Sequence, residues 1–334
     1  MEKPHTPLSD AARGNLARNI AKRYEYGWVW IAPRCVQDPT SIFYIYQGAY
    51  ICFVYLYDIE NKETWAKSDW FKYTYTLPEL VAPAEVVFFT KHWEIVGTKK
   101  ELCDEISGIT SFDAEVLREP KEVQRCSVAK RMSWASRRIP PKLPDGETLE
   151  QDQAHCLIGI FHVPGLAVED KRLKLAEAML RLQHEVMKQY PEDLSIFAWE
   201  DRPHPVGVKN GLLAGSPSQF EVSRDVQVRR GQERIVEVPG HANTFLIQAP
   251  MVANMPEFKG KWILNCWHNS NPTTNIFISL NLVHVVPNEV ELYRSDIPDM
   301  SHVENTVAGD MPYIGLLESE VYIRKDGSCF FLTP

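Results

Sequence analysis

Apolar positions change their period once along the chain. Up to about residue 200 they recur mostly at helical spacing, broken by short apolar runs, and from Phe220 onward they alternate in short strands. A helix opened by Ser9 is predicted to about Tyr24, with Leu16 and Ile20 on one face. Trp28–Ile31 reads as a short strand closed by Pro33, Ser41–Tyr50 as a helix, and Ile51–Tyr57 (ICFVYLY) as the strongest strand. Trp65–Phe71 is helical or irregular, Pro78 opens a turn, Glu85–Phe89 is a strand and Lys99–Ile109 a helix. Strand, helix, strand in this order favours a parallel α/β sheet.

The next segment carries the pattern around which the rest is arranged. Ser127–Phe161 runs SVAKRMSWASRR, a Pro-rich loop (PPKLPDG) and QDQAHCLIGIF, and it is echoed by SIFAW at Ser195–Trp199. Ser127 opens one helix there, and Cys156, Leu157, Ile160 and Phe161 stripe a second. Between them and SIFAW, Ala167–Tyr190 is amphipathic, with Leu173, Ala176, Leu180 and Met187 on one face. The period breaks in the Pro- and Gly-rich stretch Pro203–Gly215. Beyond it, Val226–Val228, Arg234–Val238, Phe245–Ile247, Trp262–Cys266, Ile276–Val285, Glu289–Tyr293 and Val321–Ile323 indicate an antiparallel sheet or sandwich. Two units are expected: an α/β part over residues 1–205 and a β-rich part over 206–334.

Composition narrows the class. With 334 residues, 44% apolar and 24% charged, the chain can bury a large core. A net charge of −8 and the lack of a long basic run argue against a nucleic-acid partner. The seven cysteines are scattered and form no C-x-x-C, which points to free thiols in a reducing compartment. The N-terminus is polar, and Gln47, Gly48 and Asp58 interrupt the apolar run Ile42–Ile59, so the expectation is a cytoplasmic protein without a membrane span.

Several segments together resemble the fungal heterokaryon-incompatibility (HET) domain proteins. They are Trp30, Ile31 and Cys35; the S-x-W-F and T-L-x-E-L-x-A-P run from Ser68 to Pro83; KKELCDEISGIT; SVAKRMSWASRR; AHCLIGIF; RLQHEVMK; SIFAW; and GLLAGSPSQF. The resemblance covers residues of about 16 to 220. It implies a fold like the Toll/interleukin-receptor type, a parallel sheet flanked by helices, followed by the antiparallel C-terminal part. It also implies that Glu79 matches the glutamate that serves NAD cleavage in relatives of that fold.

The chain departs from the family at its polar positions. The family's W-I-D reads Trp30-Ile31-Ala32, and E-D-x-A-Y reads Gln151-Asp152-Gln153-Ala154-His155. The glycine-rich loop before the long helix is Pro164–Val168, the family's opening strand and loop are expected to be missing, and Pro78 precedes Glu79, where it should disturb a helix. Scaffold residues kept and polar residues lost suggest a scaffold recruited to another task, without meaningful NAD hydrolysis.

Candidate chemistry follows. Glu79 is a carboxylate for catalysis, or a capping or solvated acid. Cys35 is a nucleophile or a structural thiol, and His155 and His162 flank Cys156 at a spacing that fits no standard metal site. No metal and no cofactor are expected. An aromatic set stands out: Tyr44, Tyr46, Tyr50, Phe53, Tyr55, Tyr57, Trp65, Trp70, Phe71, Tyr73 and Tyr75. Alternation would put Phe53, Tyr55 and Tyr57 on one strand face. The set is a plain aromatic core or the wall of an apolar ligand pocket, with Glu79, Tyr55 and His155 as polar groups placed in it. The resulting expectation is an enzyme of fungal secondary metabolism. It would fold an apolar, terpenoid-like substrate for cyclisation by intramolecular Diels–Alder reaction, resembling HET-like cyclases that close norbornene rings in diterpene pathways. The alternative is a HET-type self/non-self recognition protein, with or without NAD hydrolysis.

Overall fold

A computed structural model describes residues 39–140, 148–163, 173–200 and 212–229, the strands between 234 and 332, and isolated positions elsewhere. The expected strand Trp28–Ile31, most of the Ser9–Tyr24 helix, Cys35 and the Pro164–Val168 loop lie outside the described residues.

The first half is a mixed α/β layer. Strand β1 (Cys52–Tyr55) pairs in parallel with β2 (Val86–Phe89), and β2 pairs antiparallel with β3 (Ile95–Thr98). Helix α1 (Pro39–Gly48) precedes β1, and α2 (Thr76–Val81) lies in the crossover to β2. Among the described residues this sheet has three strands and one parallel pair, so the purely parallel sheet expected from the strand–helix–strand order is corrected to a mixed one. Tyr57 falls in a turn beyond β1, so strand alternation stops at Tyr55. Val54 and Leu56 are buried on one side while Phe53 and Tyr55 are only half-buried on the other.

Pro78 does not break α2. It stands in the first turn, where backbone N–H groups have no intrahelical acceptor, and its carbonyl still accepts the N–H of Ala82 at 3.0 Å. Trp65–Phe71 resolves into two 3₁₀ turns, Lys62–Lys67 and Asp69–Lys72. Ser68 joins them by accepting the Trp70 N–H and donating to Asp58 Oδ1 at 2.7 Å.

Helix α3 (Cys103–Thr110), α4 (Ala114–Arg118) and α5 (Val128–Ser133) follow. Every residue of α5 is buried, including Lys130 and Arg131, as expected of a helix enclosed on all sides. Its first N–H groups are taken from three directions: Lys130 N–H by Ser127 Oγ, Val128 N–H by Asp193 Oδ2, and Ala129 N–H by Ser195 Oγ at 3.0 Å. Helix α6 (Asp152–Ile158) and α7 (Leu175–Gln189) complete the layer, and the SIFAW segment makes the 3₁₀ turn Leu194–Phe197 beside α5.

The C-terminal part is antiparallel. Seven strands, β4 (Arg234–Glu237), β5 (Phe245–Asn254), β6 (Lys259–Ile263), β7 (Phe277–Val286), β8 (Glu289–Arg294), β9 (Leu316–Ile323) and β10 (Cys329–Leu332), form one sheet. Its pairing returns on itself through β9 and β5, which gives β9 a second partner and leaves β4 at an edge. It is tied to the first half by Asn265, which accepts from Leu194 N–H and donates to Glu192 O at 2.9 Å, and by Ile235 N–H on Pro191 O at 2.7 Å.

Candidate functional site

Three stretches distant in sequence meet around a cleft of about 410 Å³: residues 66–72, the end of α3 at 109–111, and the SWASRR run at 133–138. Phe71, Ile109 and Trp134 supply its apolar wall. Lys67, Lys72, Arg137 and Arg138 supply positive charge, Ala66 with serine and threonine hydroxyls fills the remainder, and among the described residues no carboxylate lines it.

Local structure explains the placement. Past Ser133 the chain continues in 3₁₀-type turns, with the N–H groups of Ala135, Ser136 and Arg138 donating to Met132 O, Ser133 O and Ala135 O, and both Trp134 and Arg138 reach the cleft from them. Trp134 is fixed by stacking on Phe112 at 4.6 Å, and it is 2% exposed. Arg138, 4% exposed, donates from Nη1 to Tyr73 O at 2.7 Å and Thr76 Oγ1 at 2.6 Å, which ties the cleft to the start of α2. Burial pushes its pKa down to about 10, against the opposing pull of Glu79. Among the described residues, Arg138 Nη2 and Trp134 Nε1 are both buried without a hydrogen-bond acceptor. At the mouth Lys72 pairs with Asp69 at 2.6 Å and Arg137 with Glu221 at 2.8 Å, both exposed contacts.

Glu79 stands one turn along α2. Its Oε1 accepts from Tyr46 OH at 2.8 Å and its Oε2 from Trp70 Nε1 at 3.2 Å, so the structure brings Tyr46, Trp70 and Glu79 together. Trp65, Trp70 and Phe71 pack around Phe88 with ring centroids 5.7–6.2 Å from it. Phe53 packs edge-on to Phe89, and Tyr55 stacks on Trp93 at 4.8 Å while donating to Lys91 O. Tyr73 and Tyr75 stack on each other at 5.5 Å, whereas Tyr50 is 83% exposed and Tyr57 also faces solvent. Of that aromatic set, Phe71 lines the cleft.

His155 sits on α6 with Nδ1 3.7 Å from Asp152, and His162 contacts Tyr44 OH at 3.2 Å, so the two histidines serve different neighbours. No group of three His, Cys, Asp or Glu fit to hold a metal occurs among the described residues. Burial pushes the thiols of Cys52 and Cys156 up to about 12 and that of Cys126 to about 11, far from a thiolate at neutral pH. No described helix is long and apolar enough to cross a membrane.

Lys67, Trp134, Arg137 and Arg138 are the site residues that sequence reasoning passed over. Two adjacent arginines after the helix that Ser127 opens were the available signal, but the cleft opposite them is built by segments some thirty to seventy positions away.

No family model matches the chain, and no solved structure does. The chain is 32% identical over 162 residues to the vegetative incompatibility protein HET-E-1 of Podospora anserina, a match covering 45% of this chain. The chain spans 11% of the length of that relative. The similarity supports a HET-like relationship for the matched part.

Proposed function

We propose that this HET-like chain is a cofactor-independent enzyme that folds an apolar, terpenoid-like substrate and closes a ring by intramolecular Diels–Alder cycloaddition. The observation that carries the reading is the wall chemistry of the cleft: an apolar face of Phe71, Ile109 and Trp134 beside hydrogen-bond donors, with no carboxylate lining it among the described residues. Such a wall lacks the acid–base couple of a hydrolase, and the buried thiols with raised pKa are poor nucleophiles.

A cycloaddition needs neither. Three π bonds become two σ bonds and one π bond, and no proton or electron leaves the substrate. The protein's contribution is to hold diene and dienophile folded, an effect of roughly 7–11 kcal/mol in the best intramolecular cases. A donor such as Lys67 against the dienophile carbonyl would stabilise the charge that develops there. In this reading the ligand lies on Phe71 and Trp134, and the remaining aromatic set forms the rigid backing. The three-stranded sheet is then a reduced Toll/interleukin-receptor-like layer, a reading supported by the parallel pair β1–β2.

The test is cyclisation of linear trienes bearing a carbonyl-activated dienophile, compared with the uncatalysed rate. Turnover should survive a chelator and fall at least tenfold in Phe71→Ala. A metal requirement, or turnover indifferent to Phe71 and Arg138, sinks the reading.

A second reading is favoured by the match itself: a recognition protein of vegetative incompatibility, as the relative's name describes that protein. Expression in a fungal host that arrests growth, with no effect of substitutions in the cleft, would favour it.

A further inference from the structure

We propose that the inner wall of the cleft is an anion subsite, in which Arg138 and Trp134 receive a carboxylate or phosphate carried by the otherwise apolar ligand. The proposal rests on the cleft being the ligand pocket and adds the charge of what it takes.

The argument begins with the two buried donors. Arg138 Nη1 is used by Tyr73 O and Thr76 Oγ1, while Nη2 has no acceptor among the described residues. Trp134, four residues earlier and also lining the cleft, has an indole N–H in the same condition. A buried donor left without an acceptor is costly, and more so when charged, so two among the residues lining one cleft favour a ligand that brings an acceptor. Both groups are donors only, which excludes a cationic ligand group. A guanidinium fork matches the paired oxygens of a carboxylate or phosphate better than the single oxygen of a neutral carbonyl.

The mouth agrees. Lys67, Lys72 and Arg137 line it in a protein whose net charge is −8, so positive charge is gathered against the overall trend. Lys67 makes no ion pair among the described residues, and the Lys72–Asp69 and Arg137–Glu221 pairs are exposed, with side-chain exposures of 61% and 59% on the basic side. Exposed pairs of this kind are weak enough to re-form around an arriving anion. The field they share draws anions in and weakens with salt.

Hexanoate and inorganic phosphate, titrated separately into the full chain at ionic strength held constant with chloride, test the subsite. The readout is the indole N–H resonance of Trp134, assigned by its loss in Trp134→Phe. A saturable shift is expected with one of the two anions, and which one decides between carboxylate and phosphate. Binding should weaken about tenfold or more in Arg138→Gln, the loss of one charge-assisted hydrogen bond. Because Arg138 also ties Tyr73 and Thr76, Lys67→Ala at the exposed mouth is the second variant, and it should weaken binding several-fold with a shallower salt dependence. No saturable shift, a shift matched by chloride alone, or equal affinity in both variants overturns the proposal. Anion binding by a protein that cyclises no triene leaves the subsite standing and sinks the cyclase. Equal turnover of a triene acid and its neutral methyl ester, without anion binding, does the reverse.

Discussion

Asp193 accepts the backbone N–H of Val128 at 2.8 Å, a contact between residues 65 positions apart that pins the start of α5 to the SIFAW turn. The same carboxylate accepts the N–H of Ser195 at 3.0 Å and its hydroxyl at 2.5 Å, and Ser195 Oγ accepts the N–H of Ala129. Burial holds the Asp193 pKa above the ordinary carboxylate range against the opposing pull of these donors and of Arg131. Removing this acceptor orphans backbone N–H groups at the centre of the molecule. Asp193→Ala should therefore cost about 2–4 kcal/mol in urea unfolding, with Asp193→Asn intermediate because the amide retains one acceptor. A loss under 0.5 kcal/mol would refute the role.

Arg131 lies between two aromatic rings, its guanidinium carbon 4.2 Å from the Tyr190 centroid and 4.6 Å from that of Phe161. Lysine keeps the charge but not the planar stacking. Arg131→Lys should lower the unfolding free energy by about 1–2 kcal/mol. Unchanged stability would mean that the rings contribute packing alone.

Lys99 is 1% exposed, and its Nζ donates to Leu80 O at 3.1 Å and Pro83 O at 2.5 Å. Burial pushes its pKa from 10.5 down to about 8. Between those values the unfolded chain holds a proton that the folded one has released, so stability should rise with pH across that window, while the burial cost is present in full below it. In urea titrations from pH 7.5 to 10.5 the slope should appear as the difference between wild type and Lys99→Met, because the buried thiols, with pKa values raised by burial, pull stability down with pH in both.

Gly159 faces Phe43 so closely that an added Cβ would stand 2.2 Å from the Phe43 Cβ. The clash is with the first atom of the side chain, which no rotamer change relieves. Gly159→Ala should destabilise by about 1–3 kcal/mol as α1 is pushed from α6. Combining it with Phe43→Ala should cost less than the sum of the single changes, because the two share one space.

Glu79 receives hydrogen bonds from Tyr46 and Trp70 on its two oxygens, a structural task sufficient to explain its place in the core. The purified protein should release no nicotinamide from NAD beyond buffer. Glu79→Gln should show itself as a stability loss of about 1–3 kcal/mol instead. Nicotinamide release abolished by Glu79→Gln would restore the family's chemistry to this chain.

Local pattern alone fixed much of the architecture. The run ICFVYLY contains β1, the apolar spacing of Ala167–Tyr190 contains α7, Ser127 does open α5, and the change of period near residue 215 marks where helices give way to antiparallel strands. These features depend on backbone preference and on one face meeting a core, both written within a few neighbouring residues. Pairing partners and the cleft depend on something else. Strand order gave one parallel pair but not the antiparallel β3, and Pro78 was tolerated because it fell in a first turn. Nothing local says that Lys67, Ile109 and Arg138 will face one another. Their meeting is decided by how the segments pack around α5, and the unpaired donors of Arg138 and Trp134 become visible only once the hydrogen bonds around them have been assigned.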